Sequence, residues 1–189
     1  LDTKDLNKEF IYFTYFLDAP QASGQFGGAL SDGSILEFRK FKNDIALYKK
    51  NTKFIFDDSN NISQSILRNI QEAFLGRFKI EVDDEDASKV LIKVNSIFLS
   101  EMLTSISPNI PPEYMEYVDL NVGKLDKSKT FINKIKNYEK NTTVDVVYGF
   151  FNPKPRGGSV DAVADKRFTF AKVRHLFVEM PDDKFEPRV

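Results

Sequence analysis

The residues that most constrain this chain are those between Thr143 and Phe151, where Val144, Val146, Tyr148 and Phe150 alternate with their neighbours. Successive side chains of a strand point to opposite faces, so this spacing lines one face with apolar groups and predicts a β-strand. The same two-residue period recurs along the chain. Phe168 to Met180 reads as a long final strand. Ile35 to Phe41 sets Leu36 and Phe38 against Glu37 and Arg39; after the break Lys42-Asn43-Asp44 the pattern resumes over Ile45 to Tyr48, which predicts a hairpin. Phe78 to Val82 and Val90 to Val94 flank the acidic turn Asp83 to Ser88 and predict a second hairpin. Phe10 to Leu17 (FIYFTYFL) is apolar on both alternating faces, as expected of a central strand covered twice. Phe54-Ile55-Phe56 reads as one more short strand.

One segment breaks the period. Ile62, Ile66, Ile70 and Phe74 recur every four residues, with Leu67 and Ala73 beside them, and predict an amphipathic helix over 62–75. Asn61 or Ser63 would cap it and Gly76 would stop it. Asn95 or Ser96 is placed to start a short second helix running through Leu103. Pro108, Pro111 and Pro112 enforce an extended connection. Residues 113–140 are ambiguous: Tyr117 to Val122 suits a strand, and Phe131, Ile132 and Ile135 suit a helical turn or a strand edge. The expected fold class is therefore α+β, mainly antiparallel sheet, with one substantial helix and a short second one. The expected organisation is a single β-rich domain over 1–189, with 1–107 and 113–189 as possible subdomains.

Composition agrees with a packed, strand-rich chain. Hydrophobic residues make up 41% of 189, enough for a core, and the 18 Phe and seven Tyr suit pleated surfaces. A formal net charge of -1 supplies no basic field to gather nucleic acid, so no nucleic-acid partner is expected. No apolar run approaches the ~20 residues of a membrane span. The chain begins at Leu1, not Met, and both ends read as cut, so the lack of a signal peptide carries no information about destination.

Candidate chemistry is sparse. Cysteine is absent, which removes thiolate nucleophiles and Cys-type zinc sites. His175 is the sole histidine, so neither an H-E-x-x-H pair nor a three-His metal site can form within this chain. Its strand context, with Val173 and Phe177 on its face, predicts a structural ring held by hydrogen bonds. No G-x-S-x-G elbow occurs. Gly27-Gly28 and Gly157-Gly158 lack the trailing Lys and Ser/Thr of a phosphate loop and read as turns. Asp83-Asp84-Glu85-Asp86 has no Gly to bend it around a calcium ion and reads as a solvated hairpin tip, as do Asp57-Asp58 and Asp182-Asp183. Lys49, Lys50 and Lys53, beside Tyr48 and Phe54, form only a mild basic patch. Asn141-Thr142-Thr143 and Asn61-Ile62-Ser63 fit the glycosylation pattern, which matters only in a eukaryotic secretory host. No residue is assigned as catalytic, cofactor-binding or metal-ligating.

The order of segments says more than any single motif. Lys8-Glu9-Phe10-Ile11-Tyr12 leads to Gly27-Gly28, then Ile35-Leu36-Glu37-Phe38-Arg39, Asn69 to Phe74, Gly76-Arg77-Phe78, Val90 to Val94 and Phe98-Leu99. Ser128 to Ile132, Asn137 to Thr142, Gly157 to Val160, Arg174-His175 and Pro187-Arg188-Val189 follow. This succession resembles the domain of unknown function that lies immediately before the catalytic domain in a family of bacterial zinc-dependent metalloproteases. The resemblance implies an exported parent (periplasmic, cell-surface or extracellular) whose zinc is held by a downstream, metzincin-like H-E-x-x-H motif absent here. It implies a non-catalytic accessory domain that packs on the catalytic domain of the same polypeptide, without a cofactor of its own, and shapes access of a peptide or protein substrate. On this reading Phe185 to Val189 is a junction leading into the catalytic portion. The alternative from another class is a free-standing surface module that binds peptide or glycan through a sheet edge or aromatic loops.

Overall fold

A computed structural model of the chain describes residues 1–19, 26–54, 70–117, 121–155 and 164–181. Among these residues nine strands form one antiparallel sheet: β1 (Glu9–Asp18), β2 (Ser34–Phe41), β3 (Asp44–Lys49), β4 (Ala73–Asp84), β5 (Lys89–Ile92), β6 (Lys124–Leu125), β7 (Phe131–Asn137), β8 (Asn141–Phe151) and β9 (Phe168–Glu179). Their order is β5-β4-β3-β2-β1-β9-β8-β6, with β7 also on β8 beyond β6. The sheet curls into a half-barrel. β1 joins the early strands to the late ones, running from Phe10 opposite Glu179 to Thr14 opposite His175.

The expected alternation decides which face is inside. Val144, Val146, Tyr148 and Phe150 of β8 are buried, as are Ala171, Val173 and His175 of β9 and Tyr12 and Thr14 of β1. The concave side is filled by the irregular stretch after β5. Here α1 (Asn95–Phe98) contributes Ile97 and Phe98, and Leu103, Ile106 and Val122 pack beside them against Tyr12, Leu36, Leu47 and Phe78. Glu101 holds this stretch in shape, its carboxylate accepting from the Ile106 N–H at 2.7 Å and from the Ser107 N–H. A smaller cluster of Leu6, Ile45 and Val90 lies beneath the β5 end.

Several expectations need correction. The molecule is mainly β rather than α+β with a substantial helix: among the described residues no helix reaches seven residues. Ala73, Phe74 and Leu75, expected to close the helix over 62–75, lie in β4, and Gly76 continues that strand opposite Leu47. Residues 62–69 of that expected helix lie outside the described residues. The short second helix ends at Phe98 rather than Leu103. β1 is buried on one face only, since Tyr15 and Leu17 on the other are exposed. Phe54 is not in a strand, and Tyr117 closes a 3-10 turn, Pro112–Tyr117. Phe131, Ile132 and Ile135 belong to β7, so the strand-edge alternative holds there.

One glycine is required by close approach. Gly149 lies in β8 opposite Phe170, and the turn formed by residues 126–130 sits directly on it. Its carbonyl accepts from the Asp126 N–H at 2.8 Å, and its N–H donates to Thr130 Oγ1 at 3.2 Å. A Cβ there would come within 2.6 Å of Lys129 Cβ and 2.8 Å of the Lys129 carbonyl oxygen. Because backbone cannot swing aside as a side-chain tip can, Gly149→Ala is expected to destabilise the domain by about 1–3 kcal/mol, read as a lower midpoint in chemical denaturation. An unchanged midpoint would mean that the turn is not held against β8.

Candidate functional site

His175 is the one histidine, and its surroundings decide what it can do. It lies on β9 between β1 and β8, on the concave face, and is 1% exposed. Tyr12 Oη is 2.8 Å from Nδ1 and Tyr148 Oη is 2.8 Å from Nε2. The Phe98 ring stands edge-on 5.5 Å away. Each partner follows from strand parity: Tyr12 and Tyr148 are core-facing positions of apolar strands, where a hydroxyl must find a buried partner.

Burial sets the protonation. Desolvation lowers the His175 pKa to about 4, and the Asp145 carboxylate opposes this only in part. Desolvation likewise pushes both tyrosines up, Tyr12 with a further contribution from Tyr148 and Tyr148 with one from Glu101. At neutral pH the ring is therefore uncharged, with one N–H and one lone pair. One tyrosine accepts from the ring and the other donates to it. Both nitrogens are occupied, so neither is left to bind a metal or to take a proton from a substrate. The trio ties together three adjacent strands.

A second constellation sits on the opposite face of the sheet. Arg39 donates from Nε and Nη2 to Glu37 at 2.8 and 2.5 Å, and from Nη1 and Nη2 to Glu72 at 2.7 and 3.0 Å. Lys50 Nζ lies 2.6 Å from Glu72, 3.2 Å from Glu9 and 3.5 Å from Glu37. The guanidinium also covers the Tyr48 ring at 4.4 Å. Hydrogen bonds from Arg39 are the main reason that Glu37 and Glu72 titrate below the usual carboxylate range. Every charge here is answered by another, so the cluster reads as a brace across β1, β2 and β3. Arg39→Met would leave Lys50 alone among three carboxylates. With the pair partly open to solvent, the expected loss is about 1–2 kcal/mol, shrinking in high salt. Denaturation midpoints at low and high ionic strength check it.

The other candidates disperse. Gly27 and Gly28 form a turn packed on β1, with Gly28 at φ 91° donating its N–H to the Phe16 carbonyl. Asp83 pairs with Lys40 at 2.6 Å, and Asp84 Oδ1 accepts from the Ala87 N–H at 2.9 Å. Lys49 lies on β3, Asn141-Thr142-Thr143 begins β8, and Lys53 follows the β3 end. Gly157-Gly158, Asp57-Asp58, Asp182-Asp183, Asn61-Ile62-Ser63 and the expected junction Phe185 to Val189 lie outside the described residues. Among the described residues, no group of three or more His, Asp or Glu is placed to hold a metal ion. No helix among them is long and apolar enough to cross a membrane.

What the strand pattern alone does not disclose is the outer surface. Tyr15 and Leu30 are cross-strand neighbours, and Leu17 of β1, Phe26 of the segment 26–31, Phe151 of β8 and Phe170 of β9 are further exposed apolar side chains. These six side chains are 36–65% exposed. Phe151 and Phe168 pack at 5.2 Å between ring centroids, with Lys129 and Arg167 lying over the Phe168 ring.

Residues 27–189 match the family model of a domain of unknown function, DUF5117. No curated protein and no solved structure matches the chain.

Proposed function

Because the chain belongs to the DUF5117 family, a domain of unknown function, over residues 27–189, we propose that it works as a non-catalytic accessory domain that packs on another domain of its own polypeptide. The observation that carries this reading is the apolar outer surface of Tyr15, Leu17, Phe26, Leu30, Phe151 and Phe170, set on a sheet whose one histidine is sealed in the core. Large exposed apolar side chains on the neighbouring strands β1, β9 and β8 suit an interaction surface. The succession of segments, which resembles the domain before the catalytic portion of bacterial zinc-dependent metalloproteases, supplies the neighbour. The parent is then an exported zinc peptidase, and this domain contributes packing, and with it the shape of the approach to the active site, rather than chemistry.

Two measurements test this reading. The coding sequence beyond Val189 is expected to contain an H-E-x-x-H within the next few hundred residues; a stop codon directly after Val189 would overturn the reading. The purified 189-residue chain is expected neither to cleave casein nor to bind zinc tightly, since carboxylates alone are poor partners for a closed tetrahedral site. One-to-one, sub-micromolar zinc binding by titration calorimetry, or peptidase activity lost on chelation, would contradict it.

A further inference from the structure

The two ends of the sheet are finished differently. At the β5 end, residues 1–3 cap the edge: Asp2 bridges Lys89, the Val90 N–H donates to the Leu1 carbonyl at 2.9 Å, and the Thr3 N–H donates to the Ser88 carbonyl at 2.9 Å. At the other end β7 pairs with β8, and among the described residues no strand lies on its outer edge. An open edge seven residues long presents a row of free N–H and C=O groups.

Which groups point outward follows from the turn that joins β7 to β8. The Tyr138 N–H donates to the Asn141 carbonyl at 2.7 Å, so Tyr138 faces β8. Backbone groups alternate sides along a strand, and the register from Asn137 opposite Thr142 to Ile135 opposite Val144 is unshifted. Lys136 therefore also turns its backbone to β8, while Ile135 and Asn137 turn theirs outward.

The side chains state what such an edge would accept. β7 reads FINKIKN and contains no acid. Lys134 and Lys136 share the outer face with Asp145, near enough to lower its pKa. That carboxylate is already held by Arg174 through bonds of 2.7 and 2.9 Å. Neither lysine has an ion-pair partner among the described residues. A second copy of β7 would bring lysine against lysine, and like charges directly opposite are destabilising. An acidic strand meets the reverse situation. We infer that the open edge of β7 is a β-augmentation site for an extended acidic peptide, one that sets Asp or Glu against Lys134 and Lys136 and apolar residues on the Ile135 face. This inference rests on β7 alone and stands apart from the accessory-domain reading.

The test uses the 189-residue chain and two labelled peptides of alternating sequence, Glu with Val and Lys with Val, followed by fluorescence anisotropy and amide shifts. The Glu–Val peptide is expected to bind about tenfold or more tighter than the Lys–Val peptide, shifting the Ile135 and Asn137 amides. Ile135→Pro removes an outward N–H without touching the β7–β8 ladder, and proline is tolerated on an edge in that position. It is expected to abolish binding while leaving cooperative melting intact. Should that variant not fold, the double variant Lys134→Glu/Lys136→Glu decides the matter: an inverted peptide preference supports the site, and an unchanged one overturns it. Absent binding at millimolar peptide, equal binding of both peptides, or self-association of the chain in place of peptide capture would each overturn it.

Discussion

His175→Ala is expected to cost about 3–5 kcal/mol of folding stability, a large share of what a domain of this size has to lose. Two losses add. Removing the imidazole leaves a cavity where the ring is now 1% exposed among Phe98, Tyr12 and Tyr148. It also orphans two buried hydroxyls, each of which then bears its desolvation penalty without a partner. Tyr148→Phe, which deletes one hydroxyl and leaves the packing, should cost only about 1–2 kcal/mol, because one ring nitrogen is left unmet and no cavity opens. Chemical denaturation of the two variants separates cavity from hydrogen bond. A loss below about 1 kcal/mol for His175→Ala would mean that the trio does not hold β1, β8 and β9 together.

Acid should weaken the domain well above the pH at which ordinary carboxylates titrate. The folded His175 pKa is about 4, whereas an unfolded histidine titrates near its ordinary value of 6.5. Between these values the unfolded chain binds a proton that the folded chain refuses, so stability falls as pH drops from 6.5 towards 4 and falls no further on this account below it. The amount is on the order of 3 kcal/mol. Glu37, Glu72 and Asp145 have depressed values, each chiefly through hydrogen bonds from an arginine. Their contribution is present above the unfolded carboxylate value and is lost as pH falls through their lower folded values, so it enters at the foot of the histidine window and continues below it. Denaturation midpoints at pH 7, 5.5 and 4.5 should therefore decline in the native chain and stay nearly flat in His175→Gln. Equal declines in both proteins would remove the histidine from the explanation.

Strands with a buried face could be read directly. β9 shows it best, because its buried residues alternate from Thr169 to His175. β8 is buried on both faces, yet its large apolar residues Val144, Val146, Tyr148 and Phe150 still mark the core side. The hairpins β2–β3 and β4–β5 were readable from their polar breaks. At its described end, Ala73 to Leu75, the helix expected over 62–75 gives way to strand for a definable reason. A four-residue apolar spacing returns to the same side of a helix and equally to the same side of a strand, so Ile70 and Phe74 carry no choice between them. Tertiary pairing decides it at Phe74, which lies opposite Tyr48 of β3 and packs against its ring. β7 was ambiguous because its side chains are largely exposed, so only its partner β8 makes it a strand. The plug after β5 buries Ile97, Phe98, Leu103, Ile106 and Val122 at irregular intervals, which no period can flag.

The histidine was legible in part. Its burial followed from its place among Val173 and Phe177, but its partners lie 163 and 27 residues away along the chain, beyond any local pattern. A usable signal was present: Tyr12 and Tyr148 occupy core-facing positions in strands otherwise apolar on that side, and each needs a partner for its hydroxyl. The ion brace left a weaker trace, since Glu37 and Arg39 alternate with Leu36 and Phe38, while Lys50 joins through the pairing of β2 with β3 and Glu72 through that of β3 with β4.

The accessory-domain reading is tested most directly by hydrogen exchange on the 189-residue chain alone and on the same chain joined to the polypeptide encoded after Val189. The account predicts slower exchange in the joined protein at amides of β1 around Tyr15, of β9 around Phe170 and of the segment 26–31, together with a higher melting temperature for this domain. Identical exchange at those amides and an unchanged melting temperature in the two proteins would contradict it.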